Sequence, residues 1–252
     1  MVRNGLGVAT ALVAAALASS PAYATVIDLR APTSTSGGTN NGNSMTYVIG
    51  SGANQLQLRA TAWSIDTSKS PDVVTNAILR SYSGGLGVQN QGETNASPDH
   101  SVDNSDGWID FVMLQFDKKV DLNSFYVGWY SGDADATIRW GNTSTAWNVN
   151  PISNGQSISV LDGLMTGQLN SDKTSNFTGW RDLDIPTMSN TYIISSRSPT
   201  NANTDYFKVS GVNVQPVPEP ATWMAMLVGF GAIGVAQRRR RPAAKLAALE
   251  SL

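Results

Sequence analysis

The sequence contains no cysteine and a single histidine, His100. The first absence excludes disulfides, thiol nucleophiles, iron–sulfur clusters and cysteine zinc sites. The second excludes a multi-histidine metal centre, and any Ser-His-Asp triad would have to use His100. Charged residues make up 14% of the 252, against roughly 25% in an ordinary soluble domain. A net charge of −2 offers no broadly basic surface, so we expect no nucleic-acid partner.

Glycine is abundant, with 23 residues, and Asn, Ser and Thr recur along the whole chain. This composition is typical of turn-rich β-structure. Hydrophobic residues make up 41%, which is enough for a core. The chain has no G-x-S-x-G, Walker or H-E-x-x-H motif, and we predict that it is not an enzyme.

The N-terminus has the organisation of a secretory signal peptide. Arg3 gives a short positive region, and residues 6–18 are small, apolar and uncharged. Ala22 and Ala24 form an A-x-A cleavage site for signal peptidase, so the mature chain should begin at Thr25. The alternative is an uncleaved N-terminal anchor, but the apolar run is too short to span a membrane.

The C-terminus has three consecutive parts. An extended, proline-bounded segment comes first, since proline removes backbone donors. An apolar stretch follows at 223–237, and at about 1.5 Å per residue it reaches less than a full bilayer core, so interfacial Trp and snorkelling Arg must make up the difference. Four arginines then hold the end in the cytoplasm. The residues of the first and last parts are Pro218, Glu219, Pro220, Trp223, Arg238, Arg239, Arg240 and Arg241.

This tripartite end resembles the PEP-CTERM sorting signal of Gram-negative bacteria, in the variant with Trp three residues after the second proline. The resemblance implies an exosortase that cuts near the Pro-Glu-Pro motif, and it implies transient anchoring in the inner membrane before transfer to the cell surface or extracellular matrix. It also implies an association with exopolysaccharide and biofilm. The alternative is a plain anchor that is never cleaved.

The remaining body is predicted to be all-β. Residues 55–63 alternate polar and apolar with period two, as do parts of 44–49 and 204–214. Residues 108–116 are continuously apolar, as in a strand covered on both faces, and 125–130 reads as a further strand. We predict a single antiparallel β-sandwich, jelly-roll-like. Residues 73–79 could be helix or strand, and 34–43 read as a loop.

These assignments divide the chain into consecutive segments. They are a signal peptide at 1–24, a β-sandwich domain at 25–214, a linker at 215–217, the sorting signal at 218–241 with a transmembrane helix at 223–237 and the arginine cluster at 238–241, and a cytoplasmic tail at 242–252.

A polar cluster at 96–110 precedes and enters the apolar strand. Hard oxygen ligands suit calcium, and we name Asp103, Asp106, Asp133 and Asp135 as its candidate ligands. Two other interpretations remain open: turn residues that bind backbone groups, and a glycosidase in which Asp106 or Asp110 pairs with one of the two later aspartates. Residues 96–110, together with Gly128-Trp129-Tyr130 and Asp133-Ala134-Asp135, resemble a central block of some exosortase-sorted surface proteins of unknown function.

Tryptophans are the remaining signal. Trp63 and Trp108 read as core residues, whereas Trp147 and Trp180 flank polar loops and are candidate glycan contacts. The leading hypothesis is an exported, exosortase-processed surface protein whose body is a non-catalytic structural or glycan-binding module, stabilised by calcium. The alternatives are a polysaccharide-active hydrolase that uses Asp pairs and a matrix protein that self-associates through edge strands.

Overall fold

The computed structural model describes residues 24–39, 43–94, 96–171, 177–196, 204–216 and 227–234. Residues 23–217 form one compact unit. Its elements in chain order are β1 (Thr25–Asp28), β2 (Ser34–Thr39), β3 (Ser44–Ile49), a 3₁₀ turn (Gly52–Asn54), β4 (Leu56–Asp66), β5 (Val73–Asn76), β6 (Ile78–Tyr82), β7 (Gly85–Gln89), β8 (Val102–Asp103), β9 (Trp108–Tyr130), β10 (Ala136–Gly141), β11 (Gln156–Ser157), α1 (Ile158–Leu164), β12 (Gly167–Ser171), β13 (Gly179–Asp182), β14 (Ser189–Ser196) and β15 (Tyr206–Pro216).

The described strands hydrogen-bond into one antiparallel sheet, which confirms the all-β, antiparallel prediction. The hydrogen bonds do not divide the described strands into the two separate sheets of the predicted sandwich. The reason is β9, which at 23 residues is long enough to pair with different neighbours at its two ends. Its first half pairs with β4 and β14, and its second half pairs with β13 and β15.

The strand β9 joins two runs that the sequence predicts as separate strands. Asp117, Lys118 and Lys119 lie between the runs, and their polarity favours a turn. In the structure all three belong to the strand. The predicted alternation of 55–63 is confirmed as the first part of β4, where buried and half-buried residues alternate.

The main core contains residues from both halves of the sheet. Leu58, Val112 and Leu114 contribute to it from β4 and the first half of β9, and Phe125 and Val212 from the second half of β9 and β15. A smaller cluster lies on the other face of β4 and β9, where Leu161 of α1 packs with Trp63 and Phe111. Burial of this apolar surface is the main favourable term in folding.

Three segments differ from their sequence predictions. Residues 73–79 resolve into β5 and β6 with only Ala77 between them, because each edge pairs with a neighbouring strand. The predicted loop at 34–43 contains β2, which pairs with β3. The predicted linker begins inside β15, where Gln215 and Pro216 pair with Asp121 and Val120; a proline is tolerated there because it ends the strand.

The sorting tail is described only at residues 227–234, which are helical and exposed. Within the described part of the chain, no helix is long and apolar enough to cross a membrane. The predicted transmembrane helix at 223–237 extends beyond these residues at both ends. The signal peptide up to residue 23 and the motif residues Pro218, Glu219, Pro220, Trp223, Arg238, Arg239, Arg240 and Arg241 also lie outside the described residues.

Candidate functional site

Three carboxylates from separate parts of the chain meet beside the first half of β9. Asp110 lies on β9, Asp103 on β8, and Glu93 in the connection that follows β7. One carboxylate oxygen from each lies within 4.8 Å of the other two. We call Glu93, Asp103 and Asp110 the carboxylate triad. Their convergence depends on β8, which pairs with β15 and thereby places Asp103 opposite Tyr206.

Both aspartates of the carboxylate triad are fully buried and receive hydrogen bonds from neutral groups. Asp110 Oδ1 accepts from Ser64 Oγ at 2.5 Å and from Asn90 Nδ2 at 3.3 Å. Asp103 Oδ1 accepts from the Ser105 backbone N–H at 3.1 Å and from its hydroxyl at 2.7 Å. These donors orient the carboxylates but bring no positive charge.

Glu93 leaves one oxygen of the carboxylate triad without a hydrogen bond. Its Oε2 accepts from the Asn90 backbone N–H at 2.9 Å. Its Oε1 is shielded from solvent, and no donor among the described residues reaches it. A buried polar atom without a partner is costly, so Oε1 requires either a proton on the carboxyl group or a cation beside it.

Burial is the main cause that raises the pKa of all three carboxyl groups of the triad. Burial raises the pKa of Glu93 to about 9, with the Asp103 charge as the second cause. Burial also raises the pKa of Asp103 to about 6 and that of Asp110 well above its usual range, with the neighbouring carboxylates adding to the latter. In the described part of the chain no lysine or arginine forms an ion pair with the triad. An added cation beside the triad would favour the ionised carboxylates and lower these pKa values.

The chemistry of the donor set fits a hard divalent cation. Calcium takes about six to eight oxygen ligands, which can be carboxylates, amide and backbone carbonyls or water. Besides the triad, the buried amide oxygen of Asn90 faces the same connection, where it accepts from the Gly92 N–H at 2.9 Å. A softer metal is disfavoured because the chain has no cysteine and its one histidine, His100, does not belong to this group of ligands.

A second group of carboxylates contains Asp133, Asp135 and Asp205, with one oxygen from each within 4.8 Å of the others. This group has a cation of its own. Arg181 is 2% exposed and donates through Nη1 to the carbonyl of Ala134. Burial lowers the pKa of Arg181, and the three carboxylates act in the opposite direction. The charge at this second group is therefore partly balanced within the fold.

The four aspartates named as calcium ligands do not meet at one point. Asp103 belongs to the carboxylate triad, whereas Asp133 and Asp135 belong to the second group. Asp106 belongs to neither and has a left-handed backbone with φ of 50° in the turn before β9. The pairing of Asp106 or Asp110 with the later aspartates, which the hydrolase hypothesis required, does not occur within either group.

Sequence reasoning did not select Glu93 and Asp110 as ligands. Asp110 interrupts the apolar run at the start of β9, and an acidic residue in a strand covered on both faces is unusual. Glu93 is the one glutamate between residues 25 and 217. Both of these features can be seen in the sequence, but the pairing of β8 with β15 cannot.

The tryptophans and His100 differ in how deeply they are buried. Trp63 is buried as predicted, but Trp108 is only half-buried. Of the two candidate glycan contacts, Trp147 is half-buried and Trp180 is 39% exposed. His100 packs against Tyr82 at 4.4 Å between ring centroids, and its Nδ1 lies 2.7 Å from the carbonyl oxygen of Ala96.

Residues 216–241 match the family described as the PEP-CTERM protein-sorting motif, which confirms the resemblance drawn from the tripartite end. The motif implies an exosortase as the processing partner, and it implies export with transient membrane anchoring before processing. No curated protein and no solved structure matches the chain.

Proposed function

We propose that this chain is an exosortase-processed protein of the bacterial cell surface or matrix whose body is a non-catalytic module, stabilised by calcium and associated with exopolysaccharide or biofilm. The sorting motif supports export and processing. The observation that carries the molecular part is the carboxylate triad, in which Asp103 and Asp110 are 0% exposed and Glu93 Oε1 accepts no hydrogen bond from the described residues.

Calcium is the cation of this proposal because of its chemistry and its supply. The triad offers only oxygen ligands, which calcium prefers. An exported module meets calcium at concentrations that satisfy even weak sites, with dissociation constants of about 10⁻⁴–10⁻³ M. In the proposal the ion joins the connection after β7 to β8 and β9, so binding stabilises the body's fold.

The burial of the triad favours a non-catalytic role. A glycosidase places its two carboxylates about 5–10 Å apart across a cleft that admits the sugar. A polysaccharide cannot reach Asp103 or Asp110, which are fully buried. The cavity of about 120 Å³ between α1 and the sheet has Asp72 as the one carboxylate in its lining.

In this proposal the two halves of the sheet act as the layers of a sandwich, because both contribute to one core.

Thermal unfolding of the full chain tests the proposal. At a calcium concentration about 100 times the dissociation constant, binding to the folded state adds about 2.7 kcal/mol. For a domain of this size we expect a rise in Tm of roughly 5–10 °C over excess EGTA. The Asp110→Asn variant should lose the rise, and the matched control Asp106→Asn should keep it.

Two results would overturn the calcium assignment. One is an identical Tm of the wild type with calcium and with EGTA. The other is a calcium-dependent rise that survives in Asp110→Asn. If that variant does not fold, Glu93→Gln replaces it, because Glu93 is only half-buried and its Oε1 has no partner to lose.

A further inference from the structure

One row of residues crosses four strands on the outer face of the domain. The register places Trp180 of β13 opposite Tyr126 of β9, Tyr126 opposite Gly211 of β15, and Gly211 opposite Asp28 of β1. Directly opposite residues in an antiparallel sheet project to the same face. Trp180, half-buried Tyr126 and exposed Asp28 therefore share one surface.

The indole of Trp180 lies across this face. Its ring meets that of Tyr126 at 83°, with 5.2 Å between centroids. Its outermost carbon, Cη2, reaches β15, where a Cβ on Gly211 would lie 3.6 Å away. Since β9 separates β13 from β15, the indole must lie over β9 to reach that far. Trp180 remains 39% exposed in this position.

A fixed ion pair flanks the aromatic residues. Arg30 donates from Nε to Asp28 Oδ1 and from Nη2 to Asp28 Oδ2, both at 2.8 Å. The Arg30 backbone N–H also donates to Asp28 Oδ1 at 2.9 Å. Both side chains are about half exposed, and the pKa of Arg30 is raised chiefly by Asp28 and slightly by Tyr126. The three hydrogen bonds orient the pair near the rings, and its two charges cancel.

We propose that Trp180, Tyr126, Asp28 and Arg30 form a binding platform for a neutral polysaccharide. An exposed indole offers an apolar surface to the C–H face of a sugar ring. A carboxylate and a guanidinium side by side accept from and donate to neighbouring hydroxyls through charge-assisted hydrogen bonds. Gly211, which is buried and has no side chain, lets the edge of the Trp180 indole lie between Tyr126 and the ion pair.

The chemistry of the platform selects this occupant over two others. Its ion pair is neutral, which gives no attraction to an anionic polymer or an anionic membrane. Its residues lie in a row across neighbouring strands, so it fits internal units of a long polymer. This inference rests on the proposed function as a surface module, and it names the class of molecule that the module binds.

Native affinity electrophoresis of the full chain tests the platform. Hydroxyethyl cellulose and galactomannan serve as neutral probes, and alginate serves as the anionic one. We expect a neutral polymer to retard the wild type. Trp180→Ala should weaken the retardation at least tenfold, and Trp180→Phe should restore part of it. Trp147→Ala, the matched control at a half-buried tryptophan, should leave it unchanged.

Several results would overturn the platform. They are no retardation by either neutral polymer, equal retardation of the wild type and Trp180→Ala, or stronger retardation by alginate. Dimerisation or binding to phosphatidylglycerol vesicles that Trp180→Ala abolishes would assign the face to another occupant. The calcium-dependent Tm of Trp180→Ala is measured in parallel. If that rise persists while sugar binding fails, only the platform is wrong.

Discussion

Ser64 and Asp110 are cross-strand neighbours on β4 and β9, and the serine hydroxyl donates to the carboxylate Oδ1 at 2.5 Å. Both residues are fully buried. The hydrogen bond orients the Asp110 carboxylate within the carboxylate triad. Groups that orient a ligand in this way contribute to metal affinity without touching the metal.

The Ser64→Ala variant should therefore be destabilised and should respond less to calcium. Loss of a buried donor to a charged acceptor costs about 1–3 kcal/mol. Urea unfolding with calcium and with EGTA measures both effects. The control is Ser68→Ala, because Ser68 makes a hydrogen bond of the same length to Asp66 from an exposed position. Equal effects of the two substitutions would argue against a special role for Ser64.

Gly87 is predicted to be intolerant of any side chain. A Cβ at this position of β7 would lie 2.0 Å from the backbone oxygen of His100, so the two segments would have to separate. We expect Gly87→Ala to lower the free energy of unfolding by about 2–3 kcal/mol. Gly163→Ala in α1, where nothing lies within 4 Å, should instead be neutral or stabilising by about 0.5–1 kcal/mol. Chemical denaturation compares them, and a well-tolerated Gly87→Ala would contradict this packing.

Lys208 is predicted to make stability depend on alkaline pH. Its Nζ lies 3.9 Å from the ring centroid of Trp129 and 4.9 Å from that of Tyr82. Burial lowers its pKa from 10.5 to about 8, although the Asp103 charge acts in the opposite direction. Between these two values the unfolded chain holds the proton and the folded chain has released it. Stability owed to Lys208 must therefore rise with pH across that window.

The measurement is the free energy of unfolding of wild type minus that of Lys208→Met, at several values of pH. We expect the difference to rise by about 1–2 kcal/mol between the two pKa values, less than full linkage because solvent screens part of the charge. Taking the difference cancels the tyrosines, whose raised pKa values act in the opposite direction. A flat or falling difference would exclude the lowered pKa.

Processing is predicted to depend on the Pro-Glu-Pro motif. In a host that carries an exosortase, Glu219→Ala should leave the chain uncut and held in the membrane fraction. Thr222→Ala, which changes a position inside the motif but outside its Pro-Glu-Pro and Trp signature, should be processed normally. Intact mass of the recovered protein measures the outcome. Normal cleavage of the Glu219→Ala chain would contradict the exosortase processing that the motif implies.

Local patterns predicted β4 well because alternation of polar and apolar residues reports directly on a strand with one buried face. They failed at β9 because Lys118 and Lys119 are polar, yet the strand continues when both halves find partners. The carboxylate triad was harder still. Its members come together only through strand pairings between residues that are distant in sequence. The prediction instead names aspartates such as Asp106 because several of them lie close together in the sequence.

Equilibrium dialysis of the full chain against radioactive calcium, after treatment with EGTA, tests the central claim most directly. The carboxylate triad predicts one bound ion per chain at calcium concentrations well above the dissociation constant. Asp110→Asn should lose that ion, while Asp106→Asn and Asp133→Asn should keep it. No retained calcium, or equal retention by Asp110→Asn and the wild type, would contradict the account.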